Sequence, residues 1–223
     1  MRSKVCSYRY ARCLAALMLL CSSLVYAQKG ADQINLNGQY VMAARAGQLG
    51  RVAALIEGGA QVDSRDRNGD TPLNMAAAKG NEAMADLLLQ AHANVNLANI
   101  AAVTPLMGAC FSAKPELVRK LLAAGARIDA LDRVKKSAAT YAAGSGCADC
   151  VDQLLQAGVA VNARLDNDLT LLMWAAAYGH ENTVKLLLAR GAEAGLKDNR
   201  GKTAADMARE SKHAELAQML ERP

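Results

Sequence analysis

Thr170-Leu-Leu-Met-Trp-Ala-Ala-Ala-Tyr-Gly-His-Glu-Asn-Thr-Val-Lys-Leu-Leu-Leu-Ala-Arg-Gly-Ala192 is the stretch from which the rest of the chain can be read. It divides into two short helices. The first is small and apolar, built on Ala175, Ala176 and Ala177, and Gly179 breaks it. The second opens at His180, and its Val184, Leu187 and Leu188 fall three and four residues apart, the spacing of one helix face. Gly191 stops it, because glycine takes a positive φ freely. Two such helices cannot hide their own apolar faces, so the pattern demands neighbours.

The neighbours are copies. Thr170 recurs as Thr203 in one direction and as Ser137, Thr104 and Thr71 in the other, always 33 residues apart. Gly47, Gly80, Gly146 and Gly179 keep the same step, as do Gly59, His92, Gly125, Gly158 and Gly191. Paired alanines recur at Ala43-Ala44, Ala76-Ala77, Ala142-Ala143 and Ala175-Ala176. A fixed period of this length means stacked supersecondary units. Gly69-Asp-Thr-Pro-Leu-Asn-Met-Ala-Ala77, Thr104-Pro-Leu-Met-Gly-Ala109 and the run from Gly179 to Ala192 give the chain its likeness to a known family. It resembles the ankyrin-repeat proteins over roughly residues 33–220. The resemblance implies an all-α solenoid of about six helix-turn-helix units with turn or β-hairpin tips. The units would be 33–65, 66–98, 99–131, 132–164, 165–197 and 198–223, within one domain over 28–223.

The first 27 residues differ in kind. Arg2, Lys4, Arg9 and Arg12 precede an apolar run from Cys13 to Val25, and Val25-Tyr26-Ala27 offers small residues at the positions of a cleavage site. That is the layout of a secretory signal peptide. The run is too short to span a bilayer comfortably, although a retained anchor is the rival reading. A lipoprotein does not fit, because Leu19 and Leu20 precede Cys21 where a small residue is required. Four of the 26 Lys and Arg lie in this leader and none of the 21 Asp and Glu, so the remainder carries a net charge of only +1. The basic character leaves with the leader, and with it any general electrostatic case for nucleic acid. The expected mature form is periplasmic, monomeric and free of the membrane.

The units are not equal. In the first, Gly38 and Gln39 stand where Thr-Pro stands later, and its helices are expected over 40–46 and 50–57. The third has an apolar tip, Ile100-Ala-Ala-Val103, and the fourth a basic one, Arg133-Val-Lys-Lys136. Lys212, His213, Glu215, Gln218 and Glu221 give the last helix a polar face fit for a terminal cap.

Motifs for chemistry fail on spacing. Gly201-Lys202-Thr203 suggests the end of a phosphate loop, but the glycine that should precede it is Leu196, with Gly195 one step too far. Asp66-Arg-Asn-Gly-Asp70 lacks the closing Glu of a calcium loop. His92, His180 and His213 lie in separate repeats. No catalytic residue, cofactor or metal is expected, and the chain is read as a non-enzyme.

Three cysteines lie in the leader and three beyond it: Cys110, Cys147 and Cys150. Cys147-Ala-Asp-Cys150 opens the outer helix of the fourth unit, where a helix N-terminus stabilises thiolate. Three readings stand. The pair forms a local structural disulfide, which an oxidising compartment permits. The thiols are free, or one pairs with Cys110. Or the pair is redox-active, which would make the chain a thiol-redox accessory protein, one that supports an oxidative-stress enzyme.

The principal reading is a protein-binding scaffold. By the resemblance, a partner protein is met on a concave face made of the turn tips and the exposed side of the first helices. Carried over position by position, that face includes Arg67, Asp70, Ile100, Val103, Phe111, Arg133, Lys136 and Tyr178. Phe111 is the single Phe of the chain, and beside Ile100 and Val103 it would make an apolar centre with a basic rim. The competing reading has Phe111 filling a gap between layers. Trp174 and Tyr141 share a register position that packs between helices, and core is expected for both.

Overall fold

Each repeat of the sequence becomes a pair of antiparallel helices followed by an extended turn. The computed structural model describes residues 32–33 and 35–221, which hold twelve α-helices and no strand. The signal-peptide reading falls on residues 1–27, outside those described. The helices are α1 over 35–45 and α2 Leu49–Glu57, then α3 Pro72–Ala78 and α4 Glu82–Gln90. They continue as α5 Pro105–Phe111 and α6 Pro115–Ala123, then α7 Ala138–Ser145 and α8 Ala148–Gln156. The last four are α9 Leu171–Ala177, α10 Glu181–Ala189, α11 Ala204–Glu210 and α12 Ala214–Glu221. Odd-numbered helices pack on one another along one layer and even-numbered helices along a second.

The recurring hydroxyl fixes where each inner helix begins. Thr71, Thr104, Ser137, Thr170 and Thr203 are the N-caps of α3, α5, α7, α9 and α11, and each accepts the N–H three residues on. In the second unit Asn74 Oδ1 reciprocates to the Thr71 amide at 3.0 Å, and in the sixth Asp206 does the same for Thr203 at 2.9 Å. Such a cap contributes about 1 kcal/mol, which matters to helices of two turns that are unstable alone. The first unit lacks the hydroxyl, and its helix is longer than expected. It extends back through residues 35–39, because nothing caps it at position 38.

Burial follows the period. Val52, Ala85, Val118, Val151, Val184 and Ala217 form one buried column, and Leu88, Leu121, Leu154, Leu187 and Leu220 a second. At about 25 cal/mol per Å2 of apolar area removed from water, these layer-to-layer contacts supply the main stabilisation.

The extended turns carry their own order. Asp66, Asp132 and Asp198 each accept, through Oδ1, the amides two and four residues on, and Asn99 takes the amide of Val103. Successive tips are then stitched by single backbone bonds: the Ile100 amide donates to the Asn68 carbonyl, Arg133 to Ala101, and Asn199 to Asn167. The fifth tip breaks the rule. Leu165 stands where Asp or Asn stands elsewhere and has no oxygen to offer. Its tip winds into a 3-10 turn at Asp166–Asp168, with Asn167 and Asp168 both at positive φ. Among the described residues the bond expected from the Asp166 amide to Val134 is not made. The Lys135–Asp166 ion pair spans that gap instead.

Candidate functional site

Along the face expected to bind, made of the inner helices and the tips, the aromatic residues gather in one place. Phe111 ends α5, and the residue is 64 % exposed. It packs edge-on against Tyr141 of α7, with centroids 6.2 Å apart and planes at 88°. Trp174 of α9 lies parallel to Tyr178, with centroids 6.1 Å apart, and Tyr178 lies parallel to His180 at 6.2 Å. The His180 Nε2 is 2.9 Å from the Gly144 carbonyl, which fixes the far end of this stack. Gly144 occupies the register position of Phe111 one unit on, and its missing side chain leaves a cavity of about 150 Å3 between Phe111 and Tyr178.

A second cavity of about 220 Å3 adjoins it, lined by Val134, Leu165, Leu169 and Trp174 together with the Lys135–Asp166 ion pair. This is the slot opened by the irregular fifth tip. Lys136 belongs to the walls of both, and its ammonium lies 4.8 Å from the Trp174 ring centre and 6.0 Å from that of Tyr141. A cation over an aromatic face is stabilised by about 0.5–2 kcal/mol, so the lysine head is held centrally rather than swinging free. Each cavity is smaller than the ~300–1,000 Å3 of a small-molecule site and suits a single inserted side chain.

The charge at the groove is one-sided. Among the described residues Lys136 makes no ion pair, nor do Arg133 on the same tip and Arg67 two tips away, whereas Arg45, Arg200 and Lys202 are taken by Asp66, Asp198 and Glu210. The nearest buried acid, Asp132, is consumed within its own tip. Its Oδ1 takes two amides, and its Oδ2 accepts the Tyr141 hydroxyl at 2.6 Å. Burial and this hydrogen bond push the Tyr141 phenol up to about 12. The floor hydroxyls are also satisfied: Ser112 donates to Ala77 and Ser145 to Cys110.

Of the residues expected on the partner face, the structure brings Phe111, Lys136 and Tyr178 together. Arg133 stands exposed on the same tip as Lys136 but lines neither cavity. Ile100 leans back on the second tip, where a Cβ on Gly69 would meet its side chain at 3.1 Å. Val103 is half-buried beneath the third tip, and Asp70 accepts from Asn99 at 2.8 Å. The apolar centre therefore lies over units three to five rather than around Ile100 and Val103. Trp174 and Tyr141 rest one side on the core as expected, and the other side lines the groove. Their role, and that of Leu165 and Leu169, is missed when each unit is compared with the average of the others. Leu165 in an Asx position was the signal that could have found the slot.

Elsewhere the first unit has an open depression of about 1050 Å3 beside α1, with Val41, Met42 and Arg45 in its lining, at the edge where the described chain begins. Cys147 and Cys150 have sulfurs 2.03 Å apart, a bonding distance. Cys150 is fully buried and Cys147 nearly so, which gives another protein's thiol no approach and leaves the redox reading without support. Cys110 is buried, and burial pushes its thiol up. Among the described residues no three His, Cys, Asp or Glu are grouped to hold a metal, and no helix is long and apolar enough to cross a membrane.

A family model for ankyrin repeats in three copies matches residues 13–99, 40–132, 106–198 and 139–221. The chain belongs to the ankyrin-repeat family, whose all-helical stacks serve as scaffolds for protein–protein interaction and are generally without enzymatic activity. No curated protein matches it in sequence.

Proposed function

We propose that this chain is a periplasmic binding protein that holds a partner protein on its concave face, over units three to five. The observation that carries the reading is the pairing of exposed Phe111 and Tyr178 with Lys136, which makes no ion pair among the described residues, around two side-chain-sized cavities. An apolar centre with a charged rim is the anatomy of a protein interface, and aromatic and arginine residues dominate the energetics of such patches. In this reading the leader is removed after Ala27, the mature chain is a monomer, and Cys147 and Cys150 are joined in the oxidising compartment.

The test is cross-linked capture from a periplasmic extract, wild type against Phe111→Ala, with quantitative mass spectrometry of what is retained. Loss of at least one specific protein in the variant is expected. Equal recovery of every protein places the interface elsewhere. Intact-mass measurement of the exported chain under alkylation without reductant reads the leader and the sulfurs together.

A further inference from the structure

We infer that the occupant of this groove is an acidic segment of the partner, seating a carboxylate on Lys136 between two apolar side chains. The inference rests on the groove being the binding face. It follows from the layout of the two cavities. One lies between Phe111 and Tyr178, and the other between Val134 and Leu169. Lys136 stands in the shared wall, over Trp174. A segment that crosses the wall must pass the ammonium. Arg133, exposed on the same tip, likewise makes no ion pair among the described residues.

Acids of the groove do not cancel this field. Asp132 is spent on two amides and a phenol, and Asp166 is paired with Lys135. A basic segment would bring its charge against Lys136, where the one lining carboxylate, Asp166, is already paired with Lys135. A neutral segment would lose solvation of the ammonium and offer no partner in return. An acidic one replaces water at a half-buried cation that is already held in place by the indole, so little rotamer entropy is lost. Single-stranded nucleic acid, which also combines stacking with phosphate contacts, is disfavoured. Its affinity grows with the number of phosphates neutralised, and the groove lining offers one cation, Lys136, without an ion pair among the described residues.

The experiment is a selection of random dodecapeptides on the immobilised whole chain. Synthetic versions of the enriched peptides are then titrated while the fluorescence of Trp174, the one tryptophan of the chain, is followed. We expect enriched peptides to carry Asp or Glu flanked by large apolar residues and to change the Trp174 emission. Lys136→Met should weaken them by about tenfold and flatten the dependence on salt. Replacing the peptide's acid by its amide should cost about the same in wild type and almost nothing in Lys136→Met. Enriched peptides that are basic or uncharged, yet shift Trp174 and fail on Phe111→Ala, overturn the acidic occupant and leave the groove standing. Peptides that bind without moving Trp174 and ignore Phe111→Ala overturn the groove itself. An empty selection, or an oligo-dT 12-mer that binds more tightly than any peptide, also overturns the inference.

Discussion

Tyr141 Oη donates to Asp132 Oδ2 at 2.6 Å, so an inner helix and the tip above it form one hydrogen-bonded unit. The same ring is a wall of the groove, and the same carboxylate orders the basic tip. Shape and charge at this site are therefore set by a single contact. Tyr141→Phe should keep the fold and the edge-on packing with Phe111. Hydrogen exchange at Val134 and Lys136 should speed up several-fold, because the carboxylate that holds those amides loses its anchor. Unchanged exchange at both would show that the tip orders itself.

That contact also sets a pH response. Tyr141 titrates at about 12 in the folded chain against 10.0 for an ordinary phenol, and Tyr40 is raised too, by burial first and then by Asp63. The folded state therefore binds more protons than the unfolded state in this window. The stabilisation is complete below pH 10 and is lost as the pH rises towards 12. Denaturant midpoints should fall as the pH is raised from about 10 to about 12, and fall less in Tyr141→Phe. A midpoint that rises over that range contradicts the assignment.

Gly146 adopts φ 74°, and a Cβ there would lie 2.5 Å from His180 Nδ1. Gly146→Ala should cost about 1–3 kcal/mol, from backbone strain and a displaced imidazole. Ala113 holds the equivalent place one unit earlier at φ 52°, and Ala113→Gly should gain up to about 1 kcal/mol. Thermal unfolding of the two single variants decides. Opposite signs are expected, and a destabilised Ala113→Gly would mean that the left-handed residue is not strained.

Leu165→Asn restores an acceptor to the fifth tip. Asp166 to Asp168 should gain exchange protection, as the tip takes the form seen at Asn99, and the adjoining slot should narrow. The variant gives up apolar contact at Leu165, so its stability should change by less than about 1 kcal/mol. Protection that stays flat would trace the irregular tip to Asn167 and Asp168 rather than to Leu165.

Leu187 is fully buried in α10. Leu187→Asp places a charge in the core and should cost several kcal/mol. In a stack held by neighbour contacts the damage is local. Exchange protection should collapse over units four to six and survive in units one and two. Uniform loss would make the stack a single cooperative block.

The period and the small residues made most of the fold legible from sequence. Thr71, Thr104, Ser137, Thr170 and Thr203 mark the helix starts, and they cap them in the structure. What repetition could not reveal is what departs from it. The longer α1 follows from a missing cap, and the slot beside Leu169 follows from a missing side-chain oxygen at Leu165. The groove was half legible. Phe111 and Tyr178 stood out as exposed aromatics, while Tyr141 and Trp174 looked like pure core because one register position can face two ways at once.

His180 sits over Gly146, and His213 over Gly179, each bulky ring resting where the preceding unit has no side chain. At the third seam the preceding residue is Ala113, and the corresponding place in the next unit is the short Cys147, its sulfur drawn back to Cys150. The repeats look alike but are keyed to their order. A unit lifted out and spliced behind a different neighbour would meet a lock cut for another key, so gene duplication within this chain can lengthen it only by copying seams in matched pairs.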